Sequence, residues 1–105
     1  MILRTWSARA TAEGADAYRR YFEGVLLAEL RRQLGFQGAH LVAGGADGAP
    51  DRELMVLTFW ESYEAIRAFA GEQLDAAVVE PEAQAVLTEF DRTVVHREVL
   101  AVGGP

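Results

Sequence analysis

The chain has 105 residues and a net charge of −6, with half its residues apolar and a quarter charged, which fits one soluble domain spanning residues 1–105 with a single core. It holds ten Arg but no Lys, Asn or Cys, which removes Schiff-base lysines, thiolate nucleophiles, disulfides and Cys-ligated metals or clusters from the available chemistry. Its cations are scattered and outnumbered, and no apolar run reaches the ~20 residues of a membrane span, so neither nucleic acid nor a membrane is expected as a partner.

Residues 2–8 alternate apolar and polar side chains and predict a first strand, with no basic-then-apolar leader; a cytoplasmic protein, by its Arg, Ala and Gly usage bacterial, is the default expectation. Thr11 is a helix N-cap with Glu13 in the first turn. Tyr18, Tyr21, Phe22, Val25, Leu26 and Leu30 follow at helical spacing, Gly24 predicts a kink or break, and Gly35 a C-cap. Residues 37–43 read as a second strand, 44–51 as a loop rich in Gly, Asp and Pro, and 53–60 as a third, highly apolar strand. Ser62 caps a helix that turns Ala65, Ile66 and Phe69 inward and stops at Gly71. Residues 73–79 and 82–90 read as further helical pieces divided by Pro81, and 93–102 as the last strand.

The order is β-α-β-β-α-β, an α+β ferredoxin-like plan with the helices on one face of the sheet. It is expected to set strands one and three side by side and parallel, flanked by strands two and four. On the third strand Met55, Leu57 and Phe59 point one way while Leu54, Val56 and Trp60 point the other. Helices cover only one of these sets. The other predicts a cover from outside, most simply a second copy packed sheet to sheet, because a bare apolar face of that size is rare on monomers.

Few residues offer chemistry. His96, mid-strand between Val95 and Arg97, is a candidate general base near neutral pH, or a structural histidine. Arg4 and Trp6 share a face of strand one, which should pair with the last strand, so Arg4, Trp6 and His96 could hold an enolate or phenolate against a fixed positive charge. The plainer alternative is an Arg4–Glu98 ion pair. Trp60, at the end of the third strand, either walls a pocket or packs in the core. His40 is three strands from His96, roughly 14 Å at ~4.8 Å per strand, so the two do not share a metal within one subunit. The tyrosine stripe of the first helix reads as core, and Arg19-Arg20 and Arg31-Arg32 as solvated helix faces.

The run Thr58-Phe59-Trp60-Glu61-Ser62-Tyr63-Glu64-Ala65 and the turn Gly35-Phe36-Gln37-Gly38-Ala39 resemble the antibiotic-biosynthesis-monooxygenase-like family of dimeric α/β barrels. So does the later chain, at Phe69-Ala70-Gly71-Glu72, Glu80-Pro81-Glu82 and Val95-His96-Arg97-Glu98-Val99. The resemblance implies an antiparallel sheet, a homodimer and a pocket between helices and sheet. It further implies a cofactor-independent monooxygenase acting on an aromatic or polyketide-like small molecule. A non-catalytic ligand-binding or stress-related module, or a cyclase or isomerase on the same scaffold, remains open. Anthrone-oxidising members carry an Asn where Val56 stands and a Tyr where Ile66 stands; Trp60 matches. Heme-degrading members need an Asn on strand one, a Trp at the place of Phe69 and a His near Val79, so heme turnover is not expected. The site expected on this scaffold has His96 and Arg4 as catalytic residues and Trp60, Trp6, Tyr63 and Phe69 as ligand contacts, with no metal or cofactor.

Overall fold

In the computed structural model, which describes residues 1–105, β1 (Ile2–Ala10) forms the centre of the sheet. Thr11 then breaks the strand and caps α1 (Ala12–Tyr21), its hydroxyl accepting from the Gly14 N–H at 3.0 Å. At Gly24 the helix does not break. It widens into a π turn over Phe22–Leu26 and resumes as α2 (Leu27–Leu30). A π turn inserts a residue and rotates the next helical turn about the axis; Leu26, Leu27 and Leu30 thereby face the sheet. The chain re-enters the sheet through Gly35, whose φ of +84° is left-handed, so Gly35 serves the turn after the helix and not its C-cap, which is Arg31. β2 (Phe36–Ala43) and β3 (Arg52–Trp60) form a hairpin. Ser62 caps α3 (Tyr63–Ala70) by accepting from the Ala65 N–H, and Gly71 ends it at φ +91°.

The second half differs from the sequence reading. Residues 73–79 are irregular, and only Pro81–Gln84 (α4) of the expected 82–90 helix is helical. Two short strands, β4 (Glu89–Phe90) and β5 (Val95–Glu98), share the free edge of β1. β5 ends at Glu98, opposite Ile2, and one more backbone bond follows it, from the Val99 N–H to the Met1 carbonyl at 2.9 Å.

The sheet is antiparallel in the order β2-β3-β1-β4, with β5 also on β1. β1 and β3 are neighbours as expected but antiparallel, with Ile2 opposite Trp60 and Ala10 opposite Arg52. Each helical crossover returns the chain parallel to the strand it left, one strand further on, so adjacent strands alternate in direction. The helices cover one face, burying Leu54, Val56, Thr58 and Trp60 of β3. Cross-strand partners share a face. Leu3, Met55, Leu57 and Phe59 therefore lie together on the other face, which nothing in the chain covers.

Candidate functional site

The helix-covered face carries one charged residue in its middle, Arg4, which is only 5% exposed. Its register opposite His96 on one side and Thr58 on the other follows from β1 being central. A buried guanidinium needs partners. Arg4 Nη1 donates to the Leu74 carbonyl at 2.7 Å and to His96 Nε2 at 3.0 Å, and Nη2 donates to the Ala76 carbonyl at 3.0 Å. These bonds explain why residues 73–79 are not helical: their carbonyls are committed to Arg4, and Ala76 bridges to Thr93. Glu98 is not among the partners of Arg4, so the expected ion pair is absent. Burial lowers the Arg4 pKa from its ordinary value, with Asp75 acting the other way; an arginine stays charged regardless.

Between this arginine, the helices and residues 77–80 lies a cavity of about 60 Å3. Trp6, Tyr18, Tyr21 and Phe69 give it aromatic walls, Val56, Val79 and Val94 aliphatic ones, and Glu80 its one carboxylate. Trp6 is oriented by its Nε1–H bond to the Asp91 carbonyl at 2.7 Å and lies 5.9 Å from the Tyr18 ring. Tyr18 and Tyr21 rings are 5.6 Å apart. Burial, followed by the influence of its neighbour Tyr21, raises the Tyr18 pKa, and burial then Glu29 raises that of Tyr21, so both phenols stay protonated as donors near neutrality.

Three residues expected at the site are placed elsewhere. Trp60 is fully buried, with Phe69 stacked on it at 5.3 Å, Phe36 edge-on at 5.5 Å, and Nε1–H donating to Thr58 Oγ1 at 2.8 Å. It supports Phe69 without touching the cavity. Tyr63 is exposed on the outside of α3, edge-on to His96 at 5.7 Å. His96 sits behind Arg4 and borders a shallow surface depression instead of the cavity. Its Nε2 must accept from Arg4, which has no acceptor to offer, so the ring proton is on Nδ1, 3.4 Å from Asp75 Oδ1. Burial and the Arg4 charge hold the imidazole pKa below its ordinary value, against the opposing pull of Asp75. With its lone pair occupied, His96 is not placed to take a proton from a ligand in the cavity. His40 lies on the uncovered face, edge-on to Phe59.

The arrangement brings Arg4, Trp6 and Phe69 together at one cavity and adds Tyr18, Tyr21 and Glu80, which sequence reasoning left out. One signal could have found the tyrosines: a buried phenol must satisfy its hydroxyl, so Tyr on a core stripe marks a place where the core opens. Chemically, the site offers a fixed cation and hydroxyl donors inside an aromatic enclosure. It offers no imidazole to a metal or heme iron.

A family model described as antibiotic biosynthesis monooxygenase matches residues 1–86. Among solved structures, a putative antibiotic biosynthesis monooxygenase from Bacillus cereus is 18% identical over 99% of this chain and 97% of its own, with a TM-score of 0.67. The heme-degrader MhuD from Mycobacterium tuberculosis, solved with two hemes in its active site, is 21% identical over 99% of this chain and 100% of its own, with a TM-score of 0.67. A Streptomyces coelicolor monooxygenase in complex with nanaomycin D is 16% identical over 99% and 91%, with a TM-score of 0.66. At these identities the likeness is one of fold. No curated protein matches the sequence.

Proposed function

The chain belongs to the antibiotic biosynthesis monooxygenase family, and from that premise we propose that it is a homodimeric, cofactor-independent monooxygenase of an aromatic or polyketide-like small molecule. The observation that carries this reading is the buried Arg4 guanidinium on the wall of an aromatic-lined cavity. An anthrone-type substrate has a CH2 between two aryl rings and opposite a ring carbonyl. Removing one of its protons gives an enolate, and a fixed cation in a water-poor site stabilises the charge as it forms. Glu80, the carboxylate on the wall, takes the proton in this reading. The carbanion adds O2, and the resulting hydroperoxide loses water to give a quinone; one oxygen atom stays in the product and O2 is the only oxidant.

Nanaomycin D bound to the S. coelicolor protein supports a small-molecule ligand in this fold. The heme of MhuD does not transfer in the same way. Heme iron is commonly held by an imidazole, and neither His40 nor His96 reaches this cavity. The homodimer is supported by the uncovered apolar face of β1 and β3.

One observation favours a second reading, a module that binds without reacting: about 60 Å3 is room for roughly two waters, against the ~300 Å3 or more of pockets for drug-sized ligands. A polycyclic ligand needs a wider cavity than this. Oxygen uptake with an anthrone separates the two readings. The monooxygenase consumes O2 above the buffer rate and loses activity in Arg4→Met, whereas the binding module consumes none.

A further inference from the structure

We propose that Asp75 and His96 are positioning residues that together fix the Arg4 guanidinium in the cavity wall, so that the cavity selects anionic over neutral aromatic ligands. The inference rests on the role of Arg4 in the proposed function and deepens it. Three of the five guanidinium N–H groups are used: two go to the carbonyls of Leu74 and Ala76, and the third to His96. The carbonyl bonds come from a segment with no ladder of its own. The His96 bond comes from β5, which is paired to β1 in register, and so ties the guanidinium to the rigid sheet.

That bond exists only while the imidazole is neutral and carries its proton on Nδ1. Asp75 Oδ1 lies 3.4 Å from Nδ1, where its negative charge favours the proton on that nitrogen. The backbone at Asp75 is held, because the Val94 N–H donates to its carbonyl at 2.8 Å and the Ala77 N–H to that of Arg92 at 2.9 Å, while its carboxylate is largely exposed. The ionisable groups around His96 are Arg4 from β1, Asp75 from the segment after α3, Tyr63 from α3 and Glu98 on its own strand face. Protonated His96 would be a second cation 3.0 Å from Arg4 and could no longer accept from it. The order Asp75, His96, Arg4 therefore runs from the solvent to the cavity, each group setting the hydrogen-bonding role of the next.

The test measures the affinities of 2-naphthoate and its neutral analogue 2-naphthamide, by titration calorimetry at pH 8, for the wild type and five variants. The wild type should prefer the anion. Arg4→Met should abolish the preference. His96→Leu should reduce it by about tenfold, the scale of one charge-assisted hydrogen bond, and Asp75→Ala should reduce it by less. His96→Gln and Asp75→Asn keep an acceptor in place and should restore it, which a purely steric role would not produce. A wild type that binds both probes alike, or neither, overturns the reading of Arg4 and this inference with it. Preference lost in Arg4→Met but retained in His96→Leu overturns this inference alone. So does a 15N spectrum of the wild type that places the His96 proton on Nε2.

Discussion

Replacing Leu57 with Asp tests the assembly. Leu57 stands in the middle of the uncovered face, opposite Thr5 on β1 and His40 on β2, with Met55 and Phe59 on either side along β3. In a sheet-to-sheet dimer it is buried against the partner. An unpaired charge buried there costs about 3 kcal/mol or more. A two-fold interface carries the substitution twice, giving roughly 6 kcal/mol, or about ten-thousand-fold in the dimer Kd at ~1.4 kcal/mol per tenfold. Sedimentation velocity at 20 μM is expected to show a dimer for the wild type and a folded monomer for Leu57→Asp. The neighbouring Val56→Asp should instead unfold the chain, since Val56 is 7% exposed beneath the helices. A monomeric wild type, or a Leu57→Asp protein that remains dimeric, refutes the argument from the bare face.

Trp60→Ala should destabilise the fold by about 3–5 kcal/mol in urea titration, because it opens a cavity under Phe69 and leaves the Thr58 hydroxyl without its donor; a loss under 1 kcal/mol would mean that Trp60 is not a core residue. Thermal stability should fall as the pH is lowered below about 6.5, the ordinary imidazole value at which His96 of the unfolded chain takes up its proton. In the folded chain its pKa is depressed by burial and by Arg4, so the contribution is complete above that value and is lost as the pH drops through the folded one. His96→Gln should flatten this part of the profile, and an unchanged slope would contradict the His96–Arg4 bond.

Within the first 70 residues the positions of the elements were legible because their signals are local, whereas the relative direction of β1 and β3 and the cap expected at Gly35 were not. Thr11 and Ser62 cap the helices they precede, and the two-residue alternation of β3 separates Leu54, Val56 and Trp60 from Met55, Leu57 and Phe59 as the structure does. The chain after Gly71 was not legible, because residues of good helix propensity there are held open by a distant partner. Arg4 takes the carbonyls of Leu74 and Ala76, and β1 takes Glu89 and Phe90 as a strand. At the site, the meeting of Arg4 and His96 could be anticipated from strand order. The occupancy of the His96 lone pair could not, since it depends on a 3.0 Å contact and on Asp75 from an irregular segment. Tyr18 and Tyr21 were read as core because a cavity wall and a packed core present the same helical spacing.

In the proposed reaction the Arg4 cavity holds an aromatic enolate for attack on oxygen. The most direct measurement is mass spectrometry of the product formed from anthrone under 18O2, with the wild type and Arg4→Met compared at equal concentration. The expected product is a quinone carrying one 18O atom, formed well above the rate without protein, with a fall to near that background in Arg4→Met. Quinone formation at the protein-free rate, or equal labelling rates in the two proteins, would contradict it.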